Sequence, residues 1–313
     1  MKLGAYRYWH ETVLAALIAA LMIGAAVVDP RFVSWKTQIA LSSHVWELAL
    51  LAVPMTAIII TAGIDLSVGS AMALSAVVLG LAYQAGANAW LAAACGIVAG
   101  ALCGTFNGLA VAWLRVHPLI VTLATLAAFR GVAEGISLGR PISGFPASFT
   151  VLGLGTIAGV PIAGVIVALI ATAAGLALAR TPSGLSLYAI GHNPAASRFS
   201  GLPVARLTVA LYALSGTCAG LAAAIYVARR NTAKADLGTG LELDVITAVV
   251  LGGTSIFGGS GRIIGTVLGV LAIHETREFV GWHWEHEELN AIVVGVLLIA
   301  AVLLNRLFTR PTR

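Results

Sequence analysis

Apolar segments of near-spanning length follow one another along this chain with little but short polar punctuation between them. The runs cover 13–28, 45–62, 71–86, 89–114, 118–138, 158–179, 207–228, 244–257, 263–280 and 289–308. A membrane-crossing helix uses about 20 apolar residues, and no stretch between the runs is long and polar enough for a separate soluble unit. The breaks are Asp29-Pro30, Gly63-Ile64-Asp65, Ala87-Asn88 and Arg115-Val116-His117-Pro118, with one longer polar stretch from Arg180 to Arg206. The fold class expected is all-α: a polytopic membrane protein of about ten transmembrane helices in one domain, residues 1–313.

Composition closes off the alternatives. Only 10% of the residues are charged, against roughly 25% in soluble domains. A soluble enzyme, a disordered chain and a nucleic-acid-binding domain are thereby excluded. The net charge of +5 fits Lys and Arg gathered on cytoplasmic loops rather than a basic groove. The run at 13–28 is longer than a usual signal core and many runs follow it, so it reads as a retained first span. Cys95, Cys103 and Cys218 lie inside apolar runs as small hydrophobes, not as a disulfide framework.

Sidedness follows from the ends. Lys2 and Arg7 at one terminus and Arg306, Arg310 and Arg313 at the other favour both termini in the cytoplasm. The short eighth and ninth runs fit either two spans or a re-entrant pair, with the same parity. A faint repeat supports a paired architecture. A shift of 189 residues lays Gly63 over Gly252, Gly69 over Gly258 and Val78-Leu79-Gly80 over Val267-Leu268-Gly269. Glycine-interrupted apolar segments at corresponding places in two halves point to a transport pathway.

Each motif has a chemical and a packing reading. Gly63, Asp65, Ser67 and Gly69 fit a pathway or gate whose polar groups meet substrate, or a helix start capped by Asp65. Gly252, Gly253, Thr254 and Ser255 open a second glycine-rich break. It lacks the Lys-Ser/Thr ending of a phosphate loop, and fits a break within the membrane or a tight turn at its surface. Gly96, Gly100, Gly104 and Gly108 form a small-residue ladder for close helix packing, with Asn107 placed to bond across that interface. Arg130 and Glu134, four apart, read as a pair on one helix face. The stretch from His274 to Glu288 reads as an acidic, Trp-flanked outer rim, and its spacing matches no closed metal site.

The polar stretch 180–206 is the most specific feature. Asn193-Pro194 sets a helix cap and first turn, and Gly201 and Pro203 end the helix. Arg198 and Phe199 stand exposed for a groove on another protein or for the membrane surface.

Asn193-Pro194-Ala195-Ala196-Ser197-Arg198-Phe199-Ser200-Gly201 resembles the cytoplasmic Glu-Ala-Ala-x-x-x-Gly motif of ABC importer permeases. Ala195 stands in the place of the Glu and Ser197 in that of the second Ala. Gly63–Ser70 and Ala248–Ser255 resemble signature segments of the ribose-type monosaccharide permeases, the branch that includes rhamnose and autoinducer-2 permeases. The likeness covers about residues 10–308, with the three segments in the family's order and spacing.

The resemblance implies a type II ABC importer permease-like fold in a bacterial inner membrane, surrounded by membrane lipids. It implies a second permease copy or paralogue, cytoplasmic ATP-binding subunits that hold the ATP, and a periplasmic sugar-binding protein. No nucleic acid, and no metal or cofactor of the chain's own, is implied. Residues 193–201 become a coupling helix for the ATPase, and the glycine breaks line or gate the substrate path. The rival reading is an ion-coupled secondary transporter of small polar solutes. It requires carboxylates buried in mid-span, for which Asp65 and Glu134 are the candidates.

Overall fold

The computed structural model describes residues 9–284 and the single positions 292, 295 and 296. Lys2, Arg7, Glu285, His286, Glu287, Glu288, Arg306, Arg310, Arg313 and nearly all of the tenth apolar run lie outside the described residues.

The helices are α1 (Trp9–Val28), α2 (Trp35–Leu41), α3 (Trp46–Ile60), α4 (Val68–Gln84), α5 (Ala89–Ala112), α6 (Pro118–Ser137), α7 (Ala147–Leu154), α8 (Ile162–Arg180), α9 (Pro182–His192), α10 (Pro194–Phe199), α11 (Val204–Arg230), α12 (Leu241–Leu251) and α13 (Ile263–His283). Two short antiparallel pairings complete the pattern. The strands β1 (Ile142–Ser143) and β4 (Thr232–Ala233) join distant loops, while β2 (Thr156–Ile157) and β3 (Val160–Pro161) form a local hairpin.

Nine of the ten apolar runs coincide with helices, but their lengths differ from the expectation of about ten spans. Among the described residues, α1, α5, α6, α8 and α11 are each long and apolar enough to cross a membrane, and α2 with α3 forms a sixth candidate bent by 64°. α4 and α12 are shorter, with 17 and 11 residues. α13 has the length but carries His274, Glu275, Arg277 and Glu278. Short helices next to long ones are what broken spans require.

Burial sorts the helices into a centre and a rim. α3 is buried from Glu47 to Ile60, and α4 and α11 bury most of their lengths. A helix apolar all round must be surrounded by protein or lipid; these have protein. α1, α6 and α8 instead expose Leu17, Ile23, Val27, Ile120, Leu123 and Leu169, the surface expected against lipid tails.

Contacts between distant loops test the sidedness read from sequence. Arg229 pairs with Glu47, Trp282 donates to Asp29, and β1 pairs with β4. At the opposite end Tyr188 bonds Gly261, Arg262 pairs with Glu11, and His10 contacts the Leu251 carbonyl. Apart from the His10 contact, whose partner Leu251 lies within the eighth run, these contacts join residues that the ten-run scheme places toward the same end. Exposed Trp35, Trp90 and Trp282 at one end and Trp113 at the other match an aromatic belt at each interface.

Candidate functional site

The first break runs from Thr61 to Ser67 between α3 and α4. Asp65 is buried there, and its Oδ1 accepts from the Ser67 N–H at 3.0 Å and the Ser67 hydroxyl at 2.7 Å. Its Oδ2 accepts from the Ser215 hydroxyl of α11 at 3.1 Å. Asp65 therefore closes a turn before α4 rather than capping it: Ser67 occupies the N-cap position and its side chain makes no cap bond. Asn107 on α5 donates to the Ser67 hydroxyl at 2.7 Å, the cross-helix bond anticipated for it. Gly63 packs on Ile58 and the Tyr212 hydroxyl, while Gly69 lies against the Gly238 backbone with no room for a Cβ.

The second break spans 252–262. Gly252 ends α12, and Gly253, Gly258 and Gly259 take positive φ of 87°, 82° and 77°, which glycine adopts without steric cost. Gly252 presses on Gly265 of α13, backbone to backbone. Thr254 is buried and Ser255 donates its N–H to the Ser260 carbonyl at 3.0 Å. The two breaks meet directly. The Gly259 N–H donates to the Ile60 carbonyl at 2.8 Å, and Gly258 sits against Ala62.

The polar stretch closes on the same point. The Tyr188 hydroxyl donates to the Gly261 carbonyl at 2.9 Å, and burial pushes this phenol above its usual range, so it stays a neutral donor. Gly191 at the end of α9 touches both Ile60 and Gly259, and the His192 ring covers Gly259. Asn193 then caps α10, accepting from the Ala196 N–H at 2.9 Å, with Pro194 at the first position and Gly201 at φ 81° after the end. Ser197 faces inward, while Ala195, Ala196 and Arg198 are exposed and Phe199 is 94% exposed. Phe257 in the second break is 91% exposed as well; its isolation among glycines was the signal in the sequence.

Gly96, Gly100, Gly104 and Gly108 let α5 lie against its neighbours. A Cβ on Gly96 would meet the Ser75 carbonyl of α4 at 2.7 Å, and one on Gly108 would meet the Val209 Cα of α11 at 2.8 Å. Gly100 and Gly104 approach the Gly216 and Tyr212 carbonyls more closely still, and Gly216 and Gly220 answer from α11. This stripe packs helices and presents no polar group.

Arg130 makes no close ion pair with Glu134, although the charge of that carboxylate still acts on it. Its guanidinium donates to the carbonyl oxygens of Ala235 at 2.5 Å and Leu237 at 2.6 Å. The acceptors belong to a non-helical segment between β4 and α12 that sequence reasoning passed over. Beside it lies a cavity of about 320 Å³ lined by Glu47, Tyr226, Arg229, Lys234, Asp236 and Thr239, among others. The overlooked signal was the concentration of charge and glycine in Lys234-Ala235-Asp236-Leu237-Gly238-Thr239-Gly240, just ahead of a short apolar run. Two ion pairs frame the region: Arg229–Glu47 at 2.7 Å and Arg277–Asp244 at 2.6 Å. Among the described residues, no three His, Cys, Asp or Glu side chains converge as metal ligands would.

Spans broken by glycine, meeting at one end under a short capped helix, are an arrangement that transport proteins use. The chain belongs to the family described as the permease component of branched-chain amino acid transport systems, whose model matches residues 39–302. The autoinducer 2 import system permease protein LsrD of Yersinia pseudotuberculosis (strain YPIII) is 35% identical over 302 residues, 95% of this chain and 91% of the relative. LsrD of Yersinia pestis (strain Pestoides F) matches with the same identity and coverage. No solved structure matches. The chain is thus a multi-pass membrane permease of the ribose-type ABC import branch, a transport subunit and not an enzyme.

Proposed function

We propose that this chain forms the membrane pathway of an ATP-driven importer for a monosaccharide or a sugar-like signal such as autoinducer 2. Two permease chains, identical or paralogous, enclose the path in a bacterial inner membrane with their termini in the cytoplasm. Cytoplasmic ATP-binding subunits carry the ATP, and a periplasmic binding protein delivers the ligand. Substrate crosses by alternating access, without covalent chemistry.

The observation that carries this reading is the contact of Gly191 with both Ile60 and Gly259. A push on Asn193–Gly201 from an ATPase partner reaches both glycine breaks through one rigid helix end. Phe199 and Phe257 supply exposed aromatic anchors of the kind that dominate interfaces. Asp65 and Ser67, buried in their turn, hold the first break in shape, while Gly63, Gly69, Gly252 and Gly253, with Thr254 and Ser255 beside them, let the broken backbones pack close enough for a movement of one to reach the next. An ion-coupled mechanism has less support: Glu134 is exposed, Asp65 is engaged by Ser67 and Ser215, and the buried carboxylates of Glu47 and Asp244 are neutralised by Arg229 and Arg277.

Affinity purification of the chain from its native membrane tests the assembly. An ATP-binding subunit should co-purify, and removal of 193–201 should abolish both that association and ATP-dependent uptake. Uptake that survives the deletion contradicts the proposal.

A further inference from the structure

Residues 233–237 alternate strictly, with Ala233, Ala235 and Leu237 buried and Lys234 and Asp236 exposed. The segment leaves β4 at Ala233 and runs through a turn from Ala235 to Gly240 that keeps one face covered. Its depth is read against α4. Ala233 packs beside Gly80 and Gly238 against Gly69, positions about 16 Å apart along the helix axis. From Leu241 α12 continues inward for 11 residues, roughly half the hydrocarbon thickness. Lys234 and Asp236 therefore lie within the outer half of the membrane-embedded depth.

Charged side chains exposed at such depth face a water-filled cavity or protein, because lipid exposure is costly. Non-helical backbone obeys the same limit. Cavities lie on both sides of the pair, of about 320 Å³ and about 400 Å³, and each includes Lys234 and Asp236 in its wall. Arg130 fixes the orientation. By bonding the Ala235 and Leu237 carbonyls, it holds the buried face down and turns the two charges outward.

We infer that Lys234 and Asp236 line the outer part of the translocation path and contact the ligand, and that the ligand is a neutral, hydroxyl-rich molecule. The assignment rests on the importer reading above and names its contact residues. The wall of the first cavity carries Glu47 paired with Arg229 and Lys234 beside Asp236, so its charges cancel, and the second adds Glu134, whose charge is offset by Arg130 on the same helix. Hydroxyls donate to Asp236 and accept from Lys234. A branched aliphatic amino acid would set its side chain against these charges.

Thiol accessibility in the intact importer tests the location. Lys234→Cys and Asp236→Cys should react with a membrane-impermeant thiosulfonate added from outside, faster than the wild-type background from Cys95, Cys103 and Cys218. Reaction at background rate at both positions overturns the assignment. Uptake tests the contact. Lys234→Ala and Asp236→Ala, at wild-type membrane abundance, should each lower autoinducer 2 uptake by about tenfold or more, as loss of a hydrogen bond to a charged group does. Unchanged uptake in both variants overturns the contact, and leucine uptake by the wild type overturns the ligand class. A wild-type chain that supports no ATP-dependent uptake of autoinducer 2 or of any monosaccharide fails the importer reading instead, while the thiol rates still decide the location.

Discussion

Gly259 donates its backbone N–H to the carbonyl oxygen of Ile60 across 2.8 Å. One residue ends the first broken span and the other sits in the second break, so the two halves of the chain are latched where α9 turns into α10. Gly191 lies under this latch so closely that a Cβ would overlap the Ile60 carbonyl.

Gly191→Ala should therefore separate the breaks from α10, the helix proposed to couple to the ATPase. The overlap is with backbone, so the cost is that of overpacking, about 1–3 kcal/mol, and uptake should fall more than membrane abundance does. Tyr188→Phe removes only the bond to the Gly261 carbonyl and should weaken coupling more mildly. Uptake per mole of ATP hydrolysed, measured on both variants, checks the order.

The α5 ladder predicts a stability effect with no functional chemistry. Gly104→Ala drives a methyl into the Tyr212 carbonyl, whereas a Cβ on Gly131 of α6 meets nothing within 4 Å. The first should lose about 1–3 kcal/mol, and the second should be neutral or gain up to about 1 kcal/mol from helix propensity. Thermal unfolding of the detergent-solubilised protein distinguishes them.

Breaking the Arg229–Glu47 pair should be costly because both side chains are nearly buried, at 8% and 5% exposure. Arg229→Met leaves the Glu47 carboxylate without its partner, a loss of about 3–5 kcal/mol. Adding Glu47→Gln should recover much of it. Comparing melting temperatures of the single and double variants measures the coupling.

Arg130→Ala should free the Ala235 and Leu237 carbonyls, at about 1–3 kcal/mol for each acceptor left buried and unbonded. Arg130→Lys keeps the charge but lacks the planar fork, and should restore stability only in part. Proteolysis at the 233–240 segment, followed in membranes, reads the release.

Much of the fold was legible because lipid forces a simple code: a run of apolar residues becomes a helix. The short capped helix at 194–199 was legible for a local reason, since Asn193, Pro194 and Gly201 each act within one turn of themselves. The glycine ladder was equally local in its spacing, though its partner α11 was not. What escaped reading depended on tertiary partners. Arg130 stands four residues from Glu134, and helical spacing favoured that pair, but the broken backbone at Ala235 and Leu237 needed donors more. Asp65 carried two readings, and the turn it closes with Ser67 displaces the start of α4 to Val68. The descent of residues 233–240 beside α4 leaves no periodic trace long enough to see, because a strand end followed by a turn resembles any loop.

The central claim is that this permease moves its ligand at the expense of ATP bound by partner subunits. The complete importer, reconstituted in liposomes with ATP on the face that carries Asn193–Gly201, measures this directly. Accumulation of autoinducer 2 or ribose should require both ATP and the binding protein, and should vanish when 193–201 are removed. Accumulation driven by an ion gradient alone, with no ATP present, would contradict the account.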